Sequence, residues 1–109
     1  MVRVTSDFWV KAYLRRLALA DIAAFVTAKG DATAGAVLIK QAPLDGTATL
    51  FQRSYDLDGN RVWVTLAAGA EQDVDAAVAR QRSFDPDIWV IEVEDRAGRH
   101  LLGEDGLRD

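Results

Sequence analysis

The chain has 109 residues, of which 50% are hydrophobic and 28% charged, and its formal net charge is −4 at pH 7. This length predicts a single domain, residues 1–109, that can bury an apolar core without metals or disulfides. The lack of cysteine excludes disulfides and thiolate chemistry and is typical of a reducing compartment. No apolar run approaches the ~18 residues that span a bilayer, so we expect a cytoplasmic protein without a membrane partner.

Charge is distributed unevenly along the chain. Residues 1–55 carry seven Lys/Arg against four Asp/Glu, a balance of +3, whereas residues 56–109 carry six against thirteen, a balance of −7. A net acidic protein is a poor candidate for general nucleic-acid binding, because affinity for phosphates comes mainly from lysine and arginine. The excess of basic residues in residues 1–55 is still compatible with a local basic surface.

The first predicted element is an amphipathic helix over residues 8–20. Thr5 or Ser6 can cap its N-terminus, and Asp7 suits its first turn because the helix dipole favours acids there. Helical periodicity places its large apolar residues on one broad stripe, which we expect to face the core. This stripe consists of Trp9, Val10, Tyr13, Leu14 and Leu17.

Four short strands follow the first helix. They are predicted over residues 22–28, 36–41, 47–55 and 61–66. Pro43 and Gly46 indicate a tight turn between the second and third strands, because proline fixes φ and glycine accepts positive φ. Gly59 indicates another turn before the fourth strand. Short turns join antiparallel neighbours, so the four strands should form an antiparallel meander.

A second helix is predicted over residues 71–84, with acids near its start and arginines near its end, as the helix dipole favours. Its expected buried stripe is Val74, Ala77, Val78, Gln81 and Phe84. Pro86 stops the helix, because proline disfavours helical geometry in the residue before it. In the strand that follows, Trp89, Ile91 and Val93 share the expected core face. The chain then turns and returns as a sixth strand, residues 99–102, followed by a loose tail, residues 103–109.

These elements predict an α+β fold: an antiparallel sheet of about six strands with two helices, in the order helix, four strands, helix, two strands. The last two strands form a hairpin that completes the sheet. Both helices are expected to cover one face of it, and Trp63 and Trp89 to be largely buried.

No motif in the chain predicts a catalytic or metal site. Gly30 and Gly35 have the spacing of the glycines in a phosphate-binding loop, but Ala36 stands where that loop needs lysine. A divalent-metal nuclease signature would need lysine at the position of Glu94. His100 is the single histidine, and without cysteine it cannot complete a zinc site. We therefore expect a non-enzymatic protein with no cofactor.

Three apolar residues of the first helix, Phe8, Ala12 and Leu19, fall outside its core stripe. Their spacing places them on one ridge, flanked by Arg15 and Arg16. An apolar ridge with a charged rim is typical of an interface core. We therefore predict a small interaction or adaptor module that forms a weak homodimer through this ridge or binds an unidentified protein. The competing interpretation is that Phe8 and Leu19 fold back into the core of the monomer.

Five basic residues of the two helices support an alternative function. They are Lys11, Arg15, Arg16, Arg80 and Arg82. An anion- or nucleic-acid-binding regulatory protein would use them to contact phosphates. The simpler interpretation is solvated helix faces with ion pairs such as Arg82–Asp85, because the surplus of acids nearby would screen a phosphate.

Five segments of the chain together resemble a family of short, uncharacterised proteins known chiefly from alphaproteobacteria. They are residues 9–16 (Trp-Val-Lys-Ala-Tyr-Leu-Arg-Arg), 35–40 (Gly-Ala-Val-Leu-Ile-Lys), 44–47 (Leu-Asp-Gly-Thr), 61–63 (Arg-Val-Trp) and 81–89 (Gln-Arg-Ser-Phe-Asp-Pro-Asp-Ile-Trp). The resemblance covers nearly the whole chain in order. It implies a single cytoplasmic domain of unknown function and brings no activity, ligand or catalytic residue.

Overall fold

The structure, a computed structural model, describes residues 4–107. Its helices and strands are α1 (Ser6–Leu19), β1 (Ala23–Ala28), β2 (Val37–Ala42), β3 (Thr47–Tyr55), β4 (Arg61–Ala70), α2 (Glu71–Phe84) and β5 (Trp89–Glu94). The hydroxyl of Thr5 caps α1 by accepting a hydrogen bond from the Phe8 N–H, as predicted. The main difference in bounds is at β4, which continues to Ala70 and runs directly into α2.

The five strands form one mixed sheet in the order β1-β5-β2-β3-β4. β2, β3 and β4 are joined as the two antiparallel hairpins that the turns predict. The prediction that β1 continues this meander is wrong, because β5 lies between β1 and β2. It is antiparallel to β1 and parallel to β2. The α+β class is confirmed, but the sheet has five strands and is mixed.

Residues 99–102, predicted to return beside β5 as a sixth strand, do not form one. Both edges of β5 are occupied by β1 and β2, so β5 has no backbone groups left for a returning strand. The chain instead turns at Gly98 and passes beside α1, where the Tyr13 hydroxyl donates to the His100 carbonyl at 2.8 Å. Leu101 has a φ of 62°, which an extended strand does not allow.

The tail is exposed from Gly103 to Gly106 and contacts the rest of the fold through a few residues, and the expectation that it is loose stays a prediction. Leu107 is 2% exposed. Its carbonyl accepts hydrogen bonds from Trp63 Nε1 at 3.0 Å and from Arg53 Nη2 at 3.2 Å. Arg16 of α1 contacts Glu104 at 2.8 Å. The rest of the predicted tail, residues 108–109, lies outside the described residues.

Two apolar cores lie on opposite faces of the sheet. The α1-side core comprises Trp9, Val10, Tyr13, Leu17, Ile22, Val37, Ile39, Trp89, Ile91, Val93, Leu102 and Leu107. The α2-side core comprises Leu38, Ala48, Leu50, Val74, Ala77, Ile88 and Val90. The prediction that both helices cover one face is therefore wrong. The reason is that β2 and β5 are apolar on both faces, as central strands of parallel sheets usually are.

The burial of Trp63, Trp89 and Phe84 depends on where each residue lies in the sheet or in its helix. Trp89, on central β5, is 3% exposed as predicted, and its Nε1 donates to the Asp31 carbonyl at 2.8 Å. Trp63 is only half-buried, because β4 is an edge strand. Phe84, predicted to be buried, is 83% exposed, because it is the last residue of α2 and the buried stripe ends earlier in the helix.

Candidate functional site

The most unusual polar residue of the core is Lys40, near the middle of β2, which is 6% exposed. Strand alternation directs Ile39 to the α1 side and Lys40 to the α2 side. Lys40 Nζ lies 2.7 Å from Glu71 Oε2, 2.7 Å from Asp75 Oδ1 and 2.6 Å from Glu92 Oε1. Because two of these acids belong to α2 and one to β5, this Lys40 cluster ties β2 to both elements.

The electrostatics of the Lys40 cluster fix the charge of the lysine. Burial alone would lower the pKa of Lys40, but hydrogen bonds to the three carboxylates outweigh it and raise the pKa above its usual value. The ammonium is therefore charged at neutral pH, and its three protons have three carboxylate acceptors. An amine in this state has no lone pair for nucleophilic or base chemistry. The cluster is a structural network of ion pairs.

A groove of about 840 Å³ opens between the start of α1, the loop before β2 and the end of α2. Its walls include Trp9, Arg53, Trp63 and Phe84. The Arg53 guanidinium lies 4.3 Å from the centre of the Trp63 ring and 5.4 Å from that of Trp9. Trp9 Nε1 is buried and has no hydrogen-bond partner among residues 4–107. The groove thus combines aromatic surface with polar groups, as ligand pockets commonly do.

The N-terminus of α1, beside the groove, is closed by the loop before β2. The Ser6 N–H donates to the Thr33 carbonyl at 3.1 Å, and the Asp7 N–H donates to the Ala32 carbonyl at 2.9 Å. The Ser6 hydroxyl donates to the Gly35 carbonyl at 2.6 Å. These bonds occupy donors that would otherwise bind an anion at a helix N-terminus, so the start of α1 is not built as a phosphate site.

The two glycines with phosphate-loop spacing are packing positions. A Cβ on either Gly30 or Gly35 would collide with the Asp87 carbonyl oxygen. That carbonyl accepts a hydrogen bond from the Asp31 N–H at 3.0 Å. Glycine at these two positions therefore allows this loop to lie close to the start of β5.

The single histidine lines a smaller pocket of about 280 Å³. The His100 ring centre is 4.7 Å from that of Phe51, and His100 Nδ1 accepts a hydrogen bond from the Leu102 N–H at 3.0 Å. Burial lowers the pKa of His100. The imidazole is therefore neutral at pH 7 and carries its proton on Nε2.

We expect an NMR titration of His100 to give a pKa below the ~6.5 of an exposed imidazole. Because the pKa is lowered on folding, the neutral ring stabilises the fold above pH ~6.5, and this contribution is lost as the pH falls. The urea-unfolded protein is the matched control, and its imidazole should titrate near 6.5. A folded-state pKa at or above that of the unfolded chain would contradict the burial of the ring.

The basic residues of α1 that the sequence offers as anion ligands are mostly paired with acids. Lys11 Nζ lies 3.0 Å from Asp7 Oδ2, and Arg16 Nη2 lies 2.8 Å from Glu104 Oε1. Arg15 is exposed.

The basic residues of α2 lie on the other side of the sheet. Arg80 is exposed. Arg82 Nη2 donates to the Pro86 carbonyl at 3.2 Å, and the predicted ion pair with Asp85 is not formed. Since α1 and α2 cover opposite faces, the five predicted anion ligands do not share one surface.

The three predicted interface residues all remain on the outer side of α1. Phe8 is 60% exposed, Leu19 is 69% exposed, and Ala12 between them is also exposed. The interpretation in which Phe8 and Leu19 fold back into the core is therefore wrong. We call Phe8, Ala12 and Leu19 the α1 ridge.

Residues 4–107 contain neither a metal-binding cluster nor a membrane-spanning helix. Within that range no group of three or more His, Cys, Asp or Glu residues is placed to hold a metal ion. The three acids around Lys40 hold its ammonium group instead. Neither described helix is long and apolar enough to cross a membrane.

Residues 4–103 match the protein family described as a protein of unknown function, DUF1491. The chain belongs to this family. The resemblance inferred from the sequence is thereby confirmed, and the DUF1491 description adds no activity, ligand or catalytic residue. No curated protein matches the chain.

Solved structures of DUF1491 proteins share this fold. A crystal structure of a family member from Caulobacter crescentus CB15 is 46% identical over 94% of this chain and 97% of that chain, with a TM-score of 0.86. An NMR structure of a family member from the same organism is 45% identical over 95% and 96% of the two chains, with a TM-score of 0.83. Protein Atu0922 from A. tumefaciens is 31% identical over 85% and 86%, with a TM-score of 0.72.

Sequence reasoning missed the Lys40 cluster of this DUF1491 chain. Two signals could have found it. Lys40 closes an apolar run that fills a buried strand, and a buried lysine needs acidic partners. Glu71 and Asp75 are four residues apart, which places both on one side of α2. The helix dipole by itself accounts for acids at the start of α2, so their spacing does not single out a partner, and the contribution of Glu92 depends on the pairing of β5 with β2.

Proposed function

We propose that this DUF1491 domain is a small non-enzymatic interaction module that contacts a protein partner through the α1 ridge. The observation that carries the proposal is the exposure of Phe8 and Leu19 on a helix whose other large aromatic residues are buried. Phe8 and Leu19 lie on the same side of α1, about three helical turns apart, and an exposed phenylalanine and leucine on one helix side have the chemistry of interface anchors.

The surroundings of the α1 ridge support this role. Lys11 and Arg15 are exposed beside it and supply a polar rim. Arg16 reaches away from the ridge to Glu104 and so belongs to the packing of the tail. A partner that covers Phe8 and Leu19 would therefore meet cations at the rim. The partner surface that fits best is an apolar patch edged by acids.

The chemistry of the polar interior also supports an interaction role. The Lys40 amine is held as an ammonium by three carboxylates, and His100 Nδ1 is engaged by a backbone N–H. Neither group offers a free lone pair for nucleophilic or base catalysis. An anion-binding role for the helix arginines stays a prediction from the sequence, and the division of these residues between two faces does not favour it.

Affinity purification from the native cell tests the proposal with three baits. They are the wild-type chain, the double variant Phe8→Glu/Leu19→Glu, and Leu57→Glu as the matched control. Leu57 is fully exposed in the turn between β3 and β4, away from α1. We expect partners recovered with wild type and control to fall at least about tenfold with the ridge variant, as for the loss of interface anchors.

Folding of all three baits is checked by far-UV and near-UV circular dichroism, so that a misfolded bait is recognised. The same proteins recovered at the same level with all three baits would show that the α1 ridge is not the binding surface.

A further inference from the structure

One face of the sheet is only partly covered by a helix. On the α2 side, α2 packs mainly against β4, β3 and β2, and β5 and β1 lie beyond it in the sheet order. Two neighbouring strands are together about 10 Å wide. Helices that pack side by side have axes about 8–10 Å apart. The uncovered half of this face is therefore as wide as one further helix laid beside α2.

The side chains that β1 and β5 place on this uncovered half are apolar and acidic. Phe25 is 50% exposed and lies opposite Glu92, and the exposed Ala23 lies opposite Glu94. Residues that lie opposite each other on paired strands share one face. Val93, between the two glutamates in sequence, belongs to the α1-side core, so both glutamates point to the α2 side. We call Ala23, Phe25, Glu92 and Glu94 the open strip.

Further acids lie along the border between the open strip and α2. Glu92 shares the Lys40 ammonium with Glu71 and Asp75, whose side chains are 42% and 57% exposed. No ion pair among residues 4–107 engages Glu94. These four acids therefore outweigh the single lysine. The open strip and its border form an apolar patch edged by acids, which is the kind of partner surface that fits the α1 ridge.

The α1 ridge complements the open strip in charge and in length. Arg15 is exposed beside the ridge, and no ion pair within the described part of the chain engages it. Phe8 and Leu19 lie about 16 Å apart along an ideal helix. The six residues of β1 extend over about 17 Å. The ridge can therefore lie along the strip over its whole length, with its cations beside the acids.

The α1 ridge and the open strip lie on opposite sides of the molecule. α1 packs against the other face of the sheet, where Trp89 and Ile91 are buried, and its ridge points away from that core. Two rigid copies cannot close a ridge-to-strip contact in both directions at once. A contact between two different surfaces is heterologous, and it continues from copy to copy in a head-to-tail arrangement.

We propose that the α1 ridge of one copy docks on the open strip of a second copy, as a helix laid beside α2, and that copies of this chain associate head to tail through this contact. The inference rests on the proposed interaction function and names another copy of the chain as the partner of the α1 ridge. The contact covers Phe8, Leu19 and Phe25 together and brings Arg15 close to Glu94 of the next copy. Each contact buries a single helix ridge, so the association is weak and depends on concentration.

Sedimentation velocity over a concentration series tests both surfaces. We expect wild type to form species larger than a dimer as its concentration rises. The ridge variant Phe8→Glu/Leu19→Glu and the strip variant Phe25→Glu should each raise the dissociation constant at least about tenfold, because each removes an apolar anchor. Leu57→Glu, an exposed change away from both surfaces, should sediment like wild type. Circular dichroism checks that every variant is folded.

Two results of this series would overturn the proposal. The first is a wild type that stays monomeric at millimolar concentration. The second is a folded strip variant that associates as strongly as wild type.

Mixing the two variants tests whether the contact joins two different surfaces. The ridge variant keeps an intact open strip, and the strip variant keeps an intact α1 ridge. An equimolar mixture should therefore form a one-to-one heterodimer, which cannot grow because its two remaining surfaces are both blocked. A mixture that associates no better than its components would contradict a heterologous contact.

Charge exchange tests the orientation of the helix on the strip. Arg15→Glu and Glu94→Arg should each weaken association when introduced alone, since each places like charges together. The double variant Arg15→Glu/Glu94→Arg restores opposite charges at every contact and should associate more strongly than either single variant. A double variant weaker than both single variants would contradict the closeness of Arg15 and Glu94.

The strip variant also separates this inference from the function proposed above. Phe25→Glu leaves the α1 ridge intact, so as a fourth bait in the purification it should still recover any other protein that the ridge binds. Partners lost only with the ridge variant, together with a wild type that does not self-associate, would overturn head-to-tail docking and support the interaction function. A ridge variant that keeps both self-association and partners would overturn both.

Discussion

Lys40→Met is expected to lower the free energy of unfolding by about 3 kcal/mol. Removing one partner of a buried ion pair typically costs about 3–5 kcal/mol, because the opposite charge is left without compensation. Here three carboxylates would be left facing one another. The side chains of Glu71 and Asp75 are 42% and 57% exposed, so water can solvate part of their charge, which places the expected cost at the lower end.

Urea denaturation of Lys40→Met beside Lys11→Met provides the measurement. Lys11 forms a solvent-exposed pair with Asp7, so its loss should cost less than about 1 kcal/mol. A Lys40→Met variant that is as stable as Lys11→Met would mean that the acids can separate without loss to the fold.

Trp89→Ala should lower the free energy of unfolding by about 3–5 kcal/mol, as large-to-small changes in a packed core do. Trp89 is 3% exposed in the α1-side core. Its Nε1 also holds the loop before β2 through the Asp31 carbonyl. The change would therefore both open a cavity and release that loop.

Trp89→Phe is the matched variant, because it keeps an aromatic ring and removes the indole N–H. We expect it to cost less than Trp89→Ala in the same urea titration. The expected loss is a large part of the free energy of unfolding of a native domain, which is about 5–15 kcal/mol. A loss below about 1 kcal/mol for Trp89→Ala would therefore contradict the burial of Trp89 in the core.

The local elements of this fold could be predicted from the sequence because their signals are local. Thr5 caps α1 through its own side chain, and the turns at Gly46 and Gly59 have the positive φ that glycine allows. The order of the strands could not be predicted in the same way. The insertion of β5 between β1 and β2 depends on pairing between distant segments, and short turns favour the simpler meander.

The same distinction applies to the functional surfaces. Helical spacing alone places Phe8 and Leu19 on one outer ridge, and both are exposed in the structure. The exposure of Phe25 depends instead on β1 being an edge strand, which no property of its own sequence shows. The alternation of β5 predicts the burial of Trp89, and the apolar residues Ile88 and Val90, which point to the opposite face, indicate the second core.

The position of β5 also governs when this chain can fold during synthesis. β5 is the last of the five strands along the sequence, yet it forms the link between β1 and the rest of the sheet. The nascent chain leaves the ribosome with its N-terminus first, so β1 and β2 emerge well before the strand that joins them. Such long-range pairing slows folding and leaves strand edges open in the nascent chain. Completion of the sheet is therefore a late event, and a chain shortened before β5 would lose the strand that connects β1 to β2.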